Sequence, residues 1–239
     1  MTNRESWDRL AARAGAANGP DGVVRYGPNG PTERDLRLLG DLKGKRVLDL
    51  GCGLGGASIA FARAGATTLA LDASGEQVAE ARRRAAAAEV KVEWHVGDLA
   101  DLAFLRAESI DLVFSALALD EVEDLSRALR QIQRVLRAKA PFVFSILHPF
   151  AAITTRDDTD TLLPSPPTVV RSYNSPQPLV RDVDGEPIET WPRPISEIFT
   201  ALARAGFRTD ALHEPMPVPT GPATVLPELL VWRARKEGS

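Results

Sequence analysis

The pattern of apolar and polar positions between residues 45 and 147 alternates between two periods. Short apolar runs predict buried strands, and the segments that separate them carry apolar residues at helical spacing. The predicted strands cover residues 47–50, 68–71, 90–96, 110–115 and 142–147, and the predicted helices cover residues 57–64, 76–88 and 125–136. This alternation predicts an α/β fold, with a mostly parallel sheet covered by helices on both faces.

Residues 1–44 carry two shorter apolar patterns before this alternation begins. Positions 7–14 predict a short helix, and a loop rich in glycine, proline and asparagine follows it. A second helix is predicted after Thr32, a suitable N-cap, because Leu36, Leu39 and Leu42 fall on one side of a helix.

The pattern breaks again after residue 150. Residues 150–194 are polar and rich in proline, which predicts a long irregular insertion, because proline lacks an N–H and fixes φ. A helix that begins at Ile195 and stops at Gly206 is predicted next, followed by two closing strands. The second closing strand is predicted to be antiparallel, since the connection before it is too short and too rich in proline for a crossover helix.

Composition adds bounds on size, partners and location. The 239 residues suit one α/β domain, and the formal net charge of −3 gives no reason to expect a nucleic acid or an anionic membrane as partner. The single cysteine, Cys52, excludes an internal disulfide and fits a reducing compartment. No apolar run reaches about 18 residues, and the first residues lack the apolar core of a signal peptide, so a cytoplasmic protein is expected.

The candidate chemistry begins at the end of the first predicted strand, in the sequence VLDLGCGLGG at residues 47–56. Gly51, Gly53 and Gly56 fit the G-x-G-x-x-G spacing of dinucleotide-binding loops, which alone is a weak signal. Asp72 ends the second strand about 20 residues later, where a carboxylate can accept hydrogen bonds from ribose hydroxyls or cap the next helix. The two features together favour a cofactor that carries a ribose, and a nicotinamide-dependent oxidoreductase is one reading of them.

Two further carboxylates argue against a dinucleotide. Asp49 stands beside the glycine loop, where it would repel a pyrophosphate and favour an ammonium group. Asp98 follows the third strand, where it can accept a hydrogen bond from an exocyclic amine or cap a helix. Acids without a basic phosphate clamp suit a cationic adenosine ligand that lacks phosphate, and S-adenosyl-L-methionine is such a ligand.

The sequence resembles the class I S-adenosylmethionine-dependent methyltransferases, most closely the ubiquinone/menaquinone-biosynthesis-type branch of small-molecule enzymes. The resemblance is carried by VLDLGCGLG, LALDAS, VGDLADL and FVFSILHPF at the ends of successive strands. It implies a Rossmann-like seven-stranded sheet of order 3-2-1-4-5-7-6 with strand 7 antiparallel. It also implies an N-terminal helical lid at residues 1–44 and a cofactor-binding domain at residues 45–239, interrupted by the insertion at about 150–194.

The resemblance also implies a set of cofactor-binding positions. Asp49 and the backbone around Gly51 and Gly53 would hold the amino-acid end, Asp72 the ribose, Asp98 and the Leu99 N–H the adenine edge. Ser115, at the end of the fourth strand, would pass close under the sulfonium. The full predicted set is Tyr26, Asp49, Gly51, Cys52, Gly53, Asp72, Ala73, Asp98, Leu99 and Ser115.

The acceptor and the catalytic groups are less defined. Transfer from a sulfonium needs a base only when the acceptor must lose a proton, and His148, after the fifth strand, is the first candidate for a base or a substrate contact; its other reading is a loop histidine bonded to backbone. Relatives often carry a histidine pair after the fourth strand, where this chain has Asp120 and Glu121. Weaker candidates are His95, His213, Glu214, Trp7, Tyr173 and Trp191.

The predicted activity is transfer of a methyl group to a small-molecule acceptor. The sequence does not distinguish O-, N- and C-methylation, or a monomer from a homodimer, and no metal site is predicted. A cofactor-binding protein without catalytic activity is a further alternative, because no base is evident.

Overall fold

The computed structural model describes residues 2–13, 22–28, 30–155, 167–216 and 226–238. The helices are α1 (Asn3–Arg13), α2 (Glu33–Leu36), α3 (Gly56–Arg63), α4 (Gly75–Ala87), α5 (Leu125–Val135), α6 (Pro149–Ile153) and α7 (Ile195–Arg204). The strands are β1 (Arg46–Leu50), β2 (Thr67–Asp72), β3 (Val92–Val96), β4 (Leu112–Ala116), β5 (Pro141–Leu147), β6 (Thr154–Thr155), β7 (Thr168–Val169), β8 (Leu179–Val183), β9 (Glu186–Thr190), β10 (Phe207–His213) and β11 (Leu229–Lys236). Parts of the predicted insertion and of the last connection lie outside the described residues.

The described residues contain a seven-stranded sheet of order β10-β11-β5-β4-β1-β2-β3. The strands from β1 to β5 pair in parallel, whereas β11 is antiparallel to both β5 and β10. The central strands are apolar because helices cover both faces, and Val47, Leu48 and Leu50 of β1 are fully buried. The predicted fold and strand order are confirmed, including the antiparallel closing strand.

Amphipathic helices supply the layers on the two faces. In α5, apolar positions separated by three or four residues are buried, from Leu125 to Val135, and Asp124 caps the helix by accepting a hydrogen bond from the Arg127 N–H at 2.8 Å. On the other face Phe61 of α3 packs against Phe114 of β4, with ring centroids 5.3 Å apart. The strand ends therefore emerge from a sheet that is fixed by packing on both sides.

The helix predicted after Thr32 is only one turn long. Arg37 adopts a left-handed conformation with φ 53°, which ends α2 after Leu36. The Glu33 carboxylate then accepts hydrogen bonds from the N–H groups of Leu38 and Leu39, at 3.1 and 2.8 Å. These bonds replace helical ones, so the apolar spacing of this segment reflects burial of a loop.

The described part of the proline-rich insertion contains regular structure that was not predicted. Strands β8 and β9 form an antiparallel hairpin that turns at Asp184 and Gly185, both with positive φ. Pro187 opposes Asp182 in this hairpin. A two-stranded hairpin tolerates proline because each strand has a free edge that needs no N–H donor.

Helix α1 contacts both α4 and β9, so the chain start and the hairpin cover the same end of the sheet. No helix in the described ranges is long and apolar enough to cross a membrane. The predicted cytoplasmic location stays a prediction.

Candidate functional site

Two cavities lie at the carboxyl ends of the parallel strands, in the described part of the chain. The first, of about 730 Å³, is lined by the ends of β1, β2, β3 and β4 and by α1. The second, of about 710 Å³, is lined by residues 25–35, the β8–β9 hairpin and the ends of β5 and β11. Trp7, Leu117 and Glu121 line both cavities, so these three side chains form the boundary between them.

The glycine loop forms the floor of the first cavity. Gly51 has φ +77°, and a Cβ at this position would lie 2.2 Å from the Ala118 Cβ. The N–H groups of Gly51 and Cys52 donate to the Leu71 carbonyl, at 2.8 and 3.1 Å, which ties the loop to the end of β2. Glycine is therefore required for the close approach of this loop to the segment after β4.

Asp72 lines the first cavity and supports the loop. Its carboxylate accepts hydrogen bonds from the N–H groups of Gly53 at 2.8 Å and Ser74 at 2.9 Å. Ser74, and not Asp72, is the N-cap of α4. Burial raises the pKa of Asp72 above its ordinary value. Because each carboxylate oxygen of Asp72 accepts one of these two hydrogen bonds, lone pairs remain available for a ligand hydroxyl. Ala73 lies beside Asp72 in the cavity wall.

Asp98 and Leu99 also line the first cavity, together with Ala100. The Asp98 carboxylate is exposed and accepts a hydrogen bond from the Ala100 N–H at 2.8 Å. A turn follows it in place of a helix, so Asp98 closes a local turn and still presents oxygen atoms to the cavity.

Asp49, in β1, and Cys52, within the glycine loop, are not among the cavity-lining residues. Asp49 is only 2% exposed, and its carboxylate accepts a hydrogen bond from the Ser58 hydroxyl at 2.5 Å. Burial, together with the nearby charge of Asp72, raises the pKa of Asp49 to about 7. Burial likewise raises the pKa of the Cys52 thiol, so Cys52 packs as an apolar residue.

Gln77 is a polar lining residue that the sequence analysis did not identify. It is 5% exposed, it lines the first cavity, and its Oε1 atom has no hydrogen-bond partner within the described residues. A buried amide oxygen without a partner costs free energy, unless a ligand donates to it. The first cavity therefore offers hydrogen-bond acceptors from Gln77, Asp72 and Asp98 beside the glycine loop. These acceptors fit the hydroxyl and amino groups of S-adenosylmethionine, which are hydrogen-bond donors.

Two further predicted cofactor contacts, besides Asp49 and Cys52, do not line the first cavity. Strand β4 continues to Ala116, so the fully buried Ser115 does not line the first cavity, and the segment from Ala116 to Ala118 does. Tyr26 is also fully buried: its hydroxyl donates to Glu33 and its ring packs on Phe114, with centroids 5.7 Å apart. Both residues support the site from inside the core.

His148 is buried in a capping role. Its Nδ1 accepts a hydrogen bond from the Phe150 N–H at 3.1 Å, which caps α6, and its Nε2 lies 2.9 Å from a Glu214 carboxylate oxygen. With Nδ1 accepting, the proton sits on Nε2 and is donated to Glu214. His148 is fully buried and lines neither cavity. This geometry matches the alternative interpretation of His148 as a loop histidine hydrogen-bonded to the backbone. It gives no support to His148 as the base.

Glu121 occupies the boundary between the cavities. Its carboxylate accepts hydrogen bonds from the Trp7 indole N–H, at 2.9 and 3.0 Å, and from the Asn3 amide at 2.9 Å. Burial raises the pKa of Glu121 to about 7, with smaller contributions from the charges of Asp72 and Asp120. A carboxylate with this pKa, reachable from both cavities, is suited to accept a proton near neutral pH.

Asp120, beside it, is a buried structural acid. Its carboxylate accepts a hydrogen bond from the Leu147 N–H at 2.8 Å, and its carbonyl accepts one from the Trp191 N–H at 2.6 Å. Burial raises the pKa of Asp120 to about 6, and the charges of Arg181 and Arg193 oppose that rise. It fixes the segment after β4 against β5 and the insertion.

The weaker candidates have structural partners. His95 lies 2.9 Å from a Glu93 oxygen and stacks on Phe104, with ring centroids 4.2 Å apart. The Tyr173 hydroxyl accepts a hydrogen bond from the Ile195 N–H at 3.2 Å. Tyr173 and Trp191 tie the insertion to other segments, and neither lines the two cavities. His213 lies in β10 and lines neither cavity.

Comparison with known proteins shows similarity to methyltransferases. Residues 48–144 match a family model described as a methyltransferase domain. A ubiquinone biosynthesis O-methyltransferase from Xanthomonas oryzae pv. oryzae is 36% identical over 108 residues, 45% of this chain and 45% of that protein. A magnesium-protoporphyrin O-methyltransferase from Rhodobacter capsulatus is 33% identical over 149 residues, 61% of this chain and 64% of that protein.

A solved structure extends the likeness over most of the fold. The S-adenosylmethionine-dependent methyltransferase from Mesorhizobium loti superposes with a TM-score of 0.69 at 27% identity, covering 85% of this chain and 96% of that one. The chain spans less than half the length of the first curated relative above. Residues 48–144, which match the family model, contain the glycine loop and the strand ends that form the first cavity.

Proposed function

We propose that the chain is a class I S-adenosylmethionine-dependent methyltransferase that methylates a hydroxyl oxygen of a small molecule. The first cavity would hold the cofactor and the second the acceptor, with Glu121 at their boundary accepting the hydroxyl proton. The two curated relatives described above are O-methyltransferases, which supports an oxygen acceptor.

Bound S-adenosylmethionine supplies an electrophilic methyl group whose sulfur leaves as a neutral thioether, so the protein needs no acid for the leaving group. The residues that would hold the cofactor are those whose polar atoms face the first cavity. Asp72 would accept hydrogen bonds from the ribose hydroxyls, and Asp98 with the Leu99 N–H would bind the adenine edge. Gln77 would accept a further hydrogen bond through its free Oε1 atom.

Asp49 would act from behind the glycine loop. Its elevated pKa of about 7 means that the carboxylate and the carboxylic acid are both populated near neutral pH in the free protein. A cationic ligand group would favour the charged form. The Ser58 hydroxyl holds the carboxylate oriented in either form, so Asp49 would favour the ammonium end of the cofactor electrostatically.

The position of Glu121 carries the proposal of proton transfer. It is the ionisable side chain shared by both cavities, and its pKa of about 7 suits a general base. Trp7 and Asn3 donate to its oxygens and so fix the carboxylate between the two cavities. These contacts would align it with an acceptor hydroxyl in the second cavity.

Helix α1 would serve as a lid over both cavities. Asn3 bonds to Glu121 and to the backbone of Glu189 in β9, and Asp8 accepts a hydrogen bond from the Ser74 hydroxyl at 2.5 Å. These contacts support the division into an N-terminal lid at residues 1–44 and a catalytic domain at residues 45–239. The lid would exclude water from the transfer step.

Glu121→Gln tests the proposed base. Gln keeps an acceptor for the Trp7 indole N–H but cannot take a proton at neutral pH. With a panel of hydroxyl acceptors and saturating cofactor, we expect kcat/KM of the natural chain to rise with pH up to about 7 and then level. The variant should lose roughly 10²–10⁴-fold in kcat/KM and also lose this pH dependence.

Glu237→Gln is the matched control, because Glu237 is exposed and lines neither cavity. Cofactor affinity, measured by calorimetry, should change little in either variant. A Glu121→Gln protein that keeps both its rate and its pH dependence would disprove the proposed base. Absence of methyl transfer to every hydroxyl acceptor, with transfer to amines or carbon acids, would disprove the oxygen acceptor.

A further inference from the structure

Arg181 lies on the inward face of the β8–β9 hairpin, in the wall of the second cavity. Alternate residues of β8 face the molecule, so Leu179, Arg181 and Val183 are half-buried while Val180 and Asp182 are exposed. Val180 is 62% exposed. Val180 and Arg181 thus depart from the usual pattern of a one-sided hairpin, because an apolar side chain points outward and a cationic one inward, whereas the other three positions follow it.

The Arg181 guanidinium has no hydrogen bond or ion pair with any other residue in the parts of the chain that the structure describes. Arginines nearby are engaged: Arg9 donates to Glu186 at 2.7 Å, and Arg193 donates to the Val122 carbonyl at 2.6 Å. A guanidinium carries five N–H donors in a planar fork. Those of Arg181 are therefore available to a ligand in the second cavity.

Most acidic side chains in the same cavity wall differ from Arg181, because they already have hydrogen-bond partners within the protein. Asp35, Asp120 and Glu121 each accept hydrogen bonds from protein N–H or O–H groups, at distances between 2.7 and 3.0 Å. Glu228 is exposed at the rim. Asp120 interacts with Arg181 through charge alone. The side-chain acceptors are mostly occupied within the protein, whereas the donors of Arg181 are free, so Arg181 lacks an acceptor that a ligand could supply.

The remaining wall is largely apolar. It includes Leu117, Leu147, Val183, Ile188, Met216 and Leu229. An apolar wall favours a ligand with an apolar body, and a planar guanidinium favours a carboxylate that binds both arms of the fork.

We infer that the acceptor is an amphipathic molecule with an apolar body and a carboxylate, and that Arg181 binds this carboxylate. The inference rests on the proposed function, since it assumes that the second cavity holds the acceptor. The carboxylate would anchor the molecule on the hairpin, and the hydroxyl to be methylated would lie toward Glu121. Arg181 is thus a specificity-determining residue that does not itself take part in proton transfer.

Binding of matched carboxylate and amide ligands tests this inference without turnover. The probes are para-hydroxycinnamate and omega-hydroxyoctanoate, each compared with its neutral amide, in the presence of S-adenosylhomocysteine. Calorimetry on the full chain should show that a carboxylate binds about tenfold to a hundredfold more tightly than its amide. Arg181→Met should bind both members of the pair equally, and Arg181→Lys should retain part of the preference.

Arg130→Met is the matched control, because Arg130 is an exposed arginine of α5 that lines neither cavity. It should keep the full preference for the carboxylate. Equal affinity for carboxylate and amide in the natural chain, failure of both carboxylates to bind, or a preference that survives Arg181→Met would overturn the inference. Transfer of labelled methyl groups is measured separately, so lost transfer with an intact preference counts against the proposed function alone.

Discussion

The two cavities are built in different ways, although they share a wall. Apart from α1, the first draws its polar atoms from residues at or shortly after the ends of β1, β2, β3 and β4, so most contributions are local to one strand end. The second combines residues 25–35, the β8–β9 hairpin and the ends of β5 and β11, which are far apart in the chain. A site of the first kind is fixed by a rigid sheet, whereas a site of the second kind depends on how distant segments dock.

This difference separates the proposed cofactor binding from the proposed acceptor specificity in physical terms. Gly51 and Asp72 are constrained by backbone contacts within the central sheet, so substitutions there should affect folding and cofactor binding together. Arg181 and Glu186 are held by a hairpin that contacts α1, so substitutions there should act on the acceptor side and leave the sheet intact.

The largest effect is expected from Gly51→Ala in the first cavity. The new Cβ would lie 2.2 Å from the Ala118 Cβ at φ +77°, so both the backbone and the neighbouring segment must shift. We expect the free energy of unfolding to fall by about 2–4 kcal/mol, with a loss of cofactor affinity. Urea denaturation and calorimetric titration measure the two effects.

Gly56→Ala is the control for this prediction, because a Cβ at Gly56, in the first turn of α3, would meet nothing within 4 Å. It should leave stability unchanged or raise it slightly. Equal stability of the Gly51 and Gly56 variants would show that the first cavity is not as rigid as the contacts of the glycine loop imply.

A smaller effect is expected from Asp72→Ala, which removes a carboxylate from the wall of the first cavity. Loss of charge-assisted hydrogen bonds to the ribose should cost about 1–3 kcal/mol of cofactor affinity. Asp101→Ala is a suitable control, since Asp101 also accepts a backbone hydrogen bond, from Ala103 at 3.0 Å, but lines neither cavity. Unchanged affinity for S-adenosylmethionine in the Asp72 variant would show that the ribose lies elsewhere.

The same contrast explains what could be predicted from the sequence. The sheet was predictable because strands buried on both faces read as continuous apolar runs, and helices between them repeat every three or four residues. The hairpin was missed because Pro187 argues against a strand, and only the free edges of β8 and β9 make proline acceptable. The helix predicted after Thr32 is short because Glu33 binds the next N–H groups, a contact that apolar spacing cannot reveal.

The candidate site shows the same limit. Asp72 and Asp98 were predictable because a strand end and a motif place them, and the structure puts both in the wall of the first cavity. Glu121 was noticed only as a departure from a histidine pair, because its elevated pKa comes from burial beneath α1. Gln77 gave no signal, since a glutamine on a helix face is ordinary until its buried oxygen lacks a partner.

The smallest and most local effect is expected from Glu186→Gln, at the contact between the hairpin and α1. Glu186 is 4% exposed and accepts hydrogen bonds from Arg9, at 2.7 Å, and from Arg13. The variant should speed amide hydrogen exchange in α1 while exchange in β1 and β4 stays unchanged. Glu189→Gln, on the exposed side of the same strand, should change neither.

The charge of Glu186 makes this contact sensitive to pH. Hydrogen bonds from Arg9 lower the pKa of Glu186 below its ordinary 4.5, so its contribution is complete above that pH. The contribution is lost as the pH falls through the lowered value. Exchange in α1 of the natural chain should therefore approach that of the variant in acid. Equal protection of α1 in both proteins at neutral pH would contradict this prediction. It would show that α1 is held by its contacts with α4 and Glu121, and that the acceptor side is as rigid as the sheet.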